Sequence, residues 1–248
     1  MSTSAQFRIF DEPAALSRAA ALFVVDLARE AVGQRGRFLI ALSGGGTPEP
    51  VYRLLASQPY RTRTEWRTSH FFWGDERCVP PGEPGSNYGQ ARRLLLDPLA
   101  APAENIHRIK GELAPEEAAA DYRRRLAEFA GEGRDWPILD LALMGMGSDG
   151  HTASLFPGPP APGEDRSAAV AITADYEDRP AQRVSLTPPV FNSARNVLFL
   201  VTGKAKARAV AAVLAPEVDP VTWPAARIQP GPGRLHYFLD REAAAAIS

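Results

Sequence analysis

Residues 145–158 read GMGSDGHTASLFPG and place a histidine, His151, two positions after an aspartate, Asp149, among small and flexible neighbours. A histidine titrates near pH 6.5, so it can take a proton from water and later return it to a leaving oxygen. Glycines at 145, 147 and 150 let the backbone turn sharply enough to project both side chains. They also leave the N–H groups of residues 145–147, Gly147 included, as candidates for holding an oxyanion. The same glycine spacing resembles a dinucleotide-binding loop. That fingerprint, however, belongs to the first strand-to-helix turn and needs an acid at the next strand end, and this loop meets neither condition. The bland alternative for His151 is a loop histidine that only packs. His70 and His236 lie in strand-like runs and His107 follows a loop, so these three read as structural.

A second cluster, SGGGTPEP, follows the apolar run RFLIAL. Gly44, Gly45 and Gly46 can take positive φ and bring backbone N–H groups close to an anion, and Ser43 and Thr47 add hydroxyls. Thr47 is also placed to cap a helix whose first residue is Pro48. Pro48 and Pro50 carry no N–H, so the donors must come from the residues before them. A phosphate is the natural guest, and the alternative is a tight turn that holds nothing. The ending of a nucleotide P-loop is missing. Lys204, in TGKAK after the run NVLFLV, is the candidate cationic clamp, with Arg183 as a further one.

The run HFFWG leads into GDER, which sets Asp75, Glu76 and Arg77 just past a buried strand. The planar fork of Arg77 suits a phosphate, a carboxylate or a developing oxyanion, unless it is consumed in an internal ion pair. Either acid could orient Arg77 or His151. Asn87 either bonds a substrate hydroxyl or caps the helix that follows it. Cys78, the single cysteine, is a reactive thiol or small filler, and it excludes an intrachain disulfide. No HExxH, CxxC or GxSxG pattern occurs, which argues against a metal site and against a serine hydrolase.

These clusters need a scaffold that brings strand ends together. RFLIAL, HFFWG, LDLALM and NVLFLV are short apolar runs of the kind buried on both faces of a parallel sheet. Helical patterns fall at residues 13–32, 48–56, 88–95, 115–130 and 204–214. Alternation of the two predicts an α/β sandwich of three layers, Rossmann-like, with a mostly parallel central sheet and its ligand beyond the carboxyl ends of the strands. Residues 157–183 are rich in Pro, Gly and charge, with SAAVAIT as an edge strand inside them; they form either a lid or a long surface connection. No linker divides the chain, so residues 1–248 are expected to be one domain.

The 248 residues carry 28 basic and 29 acidic side chains. That balance gives no electrostatic footprint for nucleic acid or for an anionic membrane. Without a long apolar stretch or a leader pattern, a soluble and cytoplasmic protein is expected. A small-molecule partner fits best, and a monomer is the default expectation.

Four stretches together, LSGGGTPEPVYRLL, FFWGDERCVPPGEPGSNYGQARRLLLDPL, DLALMGMGSDGHTASLFPG and RVSLTPPVFNSARNVLFLVTGKAKARAV, resemble the 6-phosphogluconolactonase family over nearly the whole chain. The resemblance implies the fold shared with glucosamine-6-phosphate deaminase and ribose-5-phosphate isomerase. It implies hydrolysis of 6-phosphoglucono-1,5-lactone to 6-phosphogluconate in the oxidative pentose phosphate pathway, without a cofactor. It carries the phosphate to Ser43, Gly44, Gly45, Gly46, Thr47 and Lys204, the general base to His151, and substrate contacts to Asp75, Arg77, Asn87 and Arg183. Asp149 would orient the site. A deaminase or isomerase of the related fold is the alternative enzyme, but GDER stands where deaminases resemble MDEY. Likewise GHTASLFPG stands where they resemble GHIAFNEPG, without the glutamate. A non-catalytic sugar-phosphate sensor would keep the glycine turn and have no need of His151.

Overall fold

The structure is a computed structural model that describes residues 5–64, 66–174 and 180–247. The first half of the chain runs β1 (Gln6–Phe10), α1 (Pro13–Arg35), β2 (Phe38–Leu42), α2 (Glu49–Leu55), β3 (Ser69–Trp73), β4 (Asp75–Arg77) and α3 (Asn87–Ala91). After a π-helical turn come α4 (Asp97–Leu99), α5 (Pro115–Ala127), β5 (Leu141–Met144), β6 (Ala169–Thr173), β7 (Gln182–Leu186) and α6 (Pro188–Asn192). The chain closes with β8 (Asn196–Val201), α7 (Ala207–Val213) and β9 (Arg234–Asp240).

Among the described residues six strands build the main sheet in the order β1-β9-β8-β5-β2-β3, and every pairing in it is parallel. Helices flank it, as the alternating pattern requires. Each of the four apolar runs is a strand of this sheet, and β2 and β5 are buried at every position. From β2 the chain moves outward to β3, whereas β5, β8 and β9 lie on its other side. The order of connection therefore reverses between β2 and β5, and a crevice opens beyond their carboxyl ends. A side chain fixes the register of that pair: Asp140 accepts Leu39 N–H at 2.8 Å through Oδ2, and its own N–H returns to Leu39 O at 2.9 Å. Arg35 and Arg195 neutralise the carboxylate at 2.9 and 3.3 Å.

A second, antiparallel sheet of order β4-β7-β6 sits beside the first and is packed by α5. SAAVAIT supplies its edge strand, β6. Residues 157–183 thus contribute a strand and the start of β7, while 175–179, part of the same expected lid or connection, lie outside the described residues. Thr47 does not cap α2. The position before the helix is Pro48, and the Thr47 hydroxyl lies 3.3 Å from that of Thr202 instead.

The three histidines read as structural are built into the frame. Arg125 Nε donates to His107 Nδ1 at 3.0 Å, so His107 carries its proton on Nε2, which lies 3.0 Å from His70 Nδ1. Burial first, then Arg125 and His70, push His107 down to about 3, and burial with Arg234 pushes His236 down to about 4. Both are neutral in the fold. An unfolded histidine titrates near 6.5, so the stability these groups supply is full above that pH and drains away as pH falls toward 3 to 4. Urea unfolding should show stability dropping from pH 7 to pH 5. Replacing His107 with asparagine should flatten that slope by about 1 kcal/mol per pH unit. Parallel pH profiles for the two proteins would contradict the assignment.

Candidate active site

Four strand ends converge on one open cavity of about 510 Å³. The turn after β2 contributes Ser43, Gly44, Gly45, Gly46 and Thr47; β4 and α3 contribute Asp75, Arg77 and Asn87. From the loop after β5 come Gly147 and His151, from β7 Arg183, and from the turn after β8 Thr202 and Lys206.

The glycine turn is held in shape by two side chains that the sequence did not single out. Tyr52 donates its hydroxyl to Ser43 O at 2.6 Å and accepts Ser43 N–H at 3.1 Å, and burial raises its pKa further above the usual range. Gln90 accepts Gly45 N–H at 3.1 Å and donates to Gly45 O at 3.0 Å. Gly45 adopts φ 95°, which only glycine takes without strain. Among the described residues the N–H groups of Gly44, Gly46 and Thr47 meet no acceptor, and all three residues line the cavity. That arrangement is what an anion requires.

Across the cavity, His151 Nδ1 lies 2.6 Å from Asp149 Oδ1, and the same oxygen accepts His151 N–H at 3.2 Å. Asp149 stands behind the imidazole and outside the cavity lining. With the Nδ1 proton given to the carboxylate, Nε2 is the basic nitrogen of the ring. The loop closes on itself through Gly147 N–H to His151 O at 2.8 Å. That bond spends the Gly147 donor, so it does not serve an oxyanion as expected. What Gly147 provides is room: a Cβ there would lie 2.1 Å from His151 Nδ1 and 2.3 Å from Asp149 Oδ1. Ala153, at φ 49°, turns the chain back two residues after His151. Phe156 packs its ring 5.2 Å from the imidazole and lies beneath the Arg183 guanidinium, 5.4 Å from its centroid.

GDER divides its labour. Glu76, buried, accepts N–H bonds from Arg77, Asn87 and Tyr88 at 2.7–2.8 Å and the Ser86 hydroxyl at 2.9 Å. Burial pushes its pKa up, and these four bonds pull against that shift. It therefore seats the start of α3, where Ser86 is the capping residue and Asn87 is not. Asn87 instead donates to Asp75, at 2.9 Å to its carbonyl and 3.2 Å to its carboxylate. Asp75 also accepts the Ser154 hydroxyl at 2.6 Å, which ties GDER to the histidine loop. Neither acid pairs with Arg77: among the described residues no carboxylate lies within ion-pair distance of it, and one guanidinium N–H goes to Gly85 O. Arg77 and Arg183 are cross-strand neighbours in β4 and β7, so both guanidinium groups reach one wall. Cys78 is filler, its thiol pushed up to about 11 by burial and then by Glu76.

Lys204 needs correction. It is exposed and absent from the cavity lining, and its N–H bonds Glu242 at 3.2 Å. The segment Lys204–Lys206 is a 3-10 turn rather than the start of an α-helix, entered through Gly203 at φ 93°, and this brings Lys206 to the cavity. Both lysines stand in TGKAK, so the cluster was visible although the choice within it was not.

Fold and cavity define an α/β protein in which a glycine turn with unbonded N–H groups and a carboxylate-supported imidazole line the same cavity. Comparison with known proteins carries this further. The family described as glucosamine-6-phosphate isomerases/6-phosphogluconolactonase matches residues 11–237, and the chain belongs to it. The 6-phosphogluconolactonase of a Nostoc species is 41% identical over 240 residues, covering 96% of both chains. That of Rattus norvegicus is 39% identical, covering 97% of this chain and 93% of its own. Among solved structures, 6-phosphogluconolactonase from Trypanosoma brucei superposes with TM-score 0.86 at 29% identity over the full length of both. A monomeric glucosamine-6-phosphate deaminase shares the fold at TM-score 0.82 and 20% identity, covering 97% of this chain and 99% of its own.

Replacing Gly147 with alanine should break the dyad while leaving the sheet intact, because ordinary contact begins near 3.4 Å. The expected readout is loss of the downfield proton resonance of His151 Nδ1 in an otherwise native-like spectrum. A retained resonance would show that the loop absorbs the methyl group.

Proposed function

We propose that this chain hydrolyses 6-phosphoglucono-1,5-lactone to 6-phosphogluconate. The observation that carries the reading is the His151–Asp149 pair facing an open glycine turn across one cavity of sugar-phosphate size. The phosphate docks on the N–H groups of Gly44, Gly46 and Thr47, with Lys206 and the guanidinium wall of Arg77 and Arg183 supplying positive charge. His151 Nε2 takes a proton from water as the water attacks C1. The tetrahedral oxyanion is stabilised by the nearer guanidinium, and His151 then returns the proton to the ring oxygen as the C1–O bond breaks. Asp149 holds the imidazole in the tautomer this needs and stabilises the imidazolium. General-base help is typically worth about 10²- to 10⁴-fold, and anchoring the phosphate supplies orientation.

Hydrolysis is favoured over ring-opening deamination or isomerisation by Phe156. It stands at the position where the deaminase-like loop carries a glutamate, and it presents an apolar ring to His151 at 5.2 Å. No step calls for a cofactor, and the substrate's place is between oxidation of a 6-phosphorylated aldose and use of the open-chain acid, as in the oxidative pentose phosphate pathway.

Proton release from freshly made lactone, corrected for spontaneous hydrolysis, tests the roles together. His151→Ala should lose at least about 100-fold in kcat while still binding 6-phosphogluconate. Lys206→Ala should raise KM about ten-fold or more with a smaller effect on kcat, whereas Lys204→Ala should change neither by more than two-fold (roughly, for a surface side chain). Full activity in the His151 variant would remove the base, and the opposite ranking of the lysines would remove the clamp.

A further inference from the structure

The histidine loop and the Lys206 turn belong to different strand ends, β5 and β8, and Trp223 packs on Gly150 of the first and approaches Arg208 of α7, the helix that follows the second. Trp223 sits just before a 3-10 turn, Pro224–Arg227, in a segment shaped by Asp219, which accepts Val221 N–H at 3.0 Å and the Thr222 N–H and hydroxyl. Trp223 N–H closes the turn on Asp219 O at 2.9 Å. This segment is bonded to the histidine loop at two points: Ala225 N–H donates to Gly150 O and Gly158 N–H donates to Val221 O, each at 2.9 Å. The indole itself lies against Gly150, next to His151. Gly150 takes φ 79°, and a Cβ on it would fall 2.5 Å from Trp223 Cε3. Arg208 of α7 holds its guanidinium 5.9 Å from the indole centroid, and Arg208 is two residues beyond Lys206. Farther along, Arg227 forms a part-buried ion pair with Glu164 that anchors the segment.

We infer that Trp223 is a positioning residue: its indole is the spacer that sets the distance between His151 and Lys206, and hence the length of phospholactone that can be held at both ends. This rests on the lactonase reading. A rigid aromatic with two χ angles is suited to such a gauge, because it fixes a separation at low entropic cost. Trp223 touches neither end of the substrate in this scheme, so its removal acts through placement of His151. Misplacement on the scale of 1 Å costs about 100-fold in favourable cases.

The test compares 6-phosphoglucono-1,5-lactone with the shorter 5-phosphoribono-1,4-lactone. Trp223→Ala should lower kcat on the six-carbon lactone about ten- to 100-fold and narrow the kcat/KM ratio between the two substrates. Trp223→Phe should restore most of both. Arg208→Ala, a change outside the core, should narrow the ratio in the same direction by less, and it decides the matter if Trp223→Ala does not fold. A ratio unchanged in the alanine variants, or a phenylalanine variant no better than alanine, would overturn the inference. The His151 Nδ1 proton resonance needs no substrate: it should shift or broaden in Trp223→Ala and recover in Trp223→Phe. If the wild-type chain hydrolysed neither lactone the function would fall, and that resonance alone would then uphold or overturn the positioning role.

Discussion

Parallel pairing of β2 with β5 is the constraint on which the site depends. The ladder aligns Ile40 with Leu141 and Ala41 with Ala142, so the two chains leave the sheet side by side and at the same height. β2 runs straight into the glycine turn, and β5 into the histidine loop. A slip along the ladder would carry one loop past the other by a strand residue, about 3.3 Å, and would misplace every contact between them. Asp140, at the far end of the same pair, prevents that slip by bonding Leu39 N–H while two arginines balance its charge. A buried polar group at the floor of the sheet therefore protects geometry at its rim.

Above the sheet, the loops are shaped by hydrogen bonds to side chains more than by secondary structure. Glu76 gathers four donors from GDER and the start of α3, Tyr52 and Gln90 grip the glycine turn from either side, and Ser154 joins Asp75 to the histidine loop. These bonds make the arrangement stiff, since breaking one strands a desolvated partner. The glycines then serve space rather than flexibility. At Gly44 a Cβ would lie 1.8 Å from Asn87 Oδ1, and at Gly147 it would strike the dyad. Small residues here let charged and polar side chains approach closer than any other backbone would allow.

Much of this was legible from the sequence. The buried strands announced themselves as apolar runs between turn residues, and the α/β sandwich with its mostly parallel sheet came from their alternation with helical patterns. His151, Asp149 and the glycine turn were legible too, because their local spacing already encodes a sharp turn and a projected side chain. The features that escaped were set by distant pairing. β4 is three polar residues, Asp75, Glu76 and Arg77, with no apolar run to mark it as a strand; only its ladder with β7 makes it one. The division of roles between Asp75 and Glu76 depends on Ser86 and Ser154, far along the chain. That Lys206 and not Lys204 lines the cavity could not be read either, because a 3-10 turn and an α-turn differ in how far each residue rotates, and no single residue in TGKAK dictates the choice.

In the proposed reaction one bound molecule spans the two loops, phosphate on the turn after β2 and carbonyl carbon at His151. A crystal structure of the protein with 6-phosphogluconate measures this directly. The account predicts phosphate oxygens within about 3 Å of the Gly46 and Thr47 N–H groups, Lys206 beside them, and the C1 carboxylate in hydrogen-bond reach of His151 Nε2. A product molecule lying the other way round, or bound away from the crevice between β2 and β5, would contradict it.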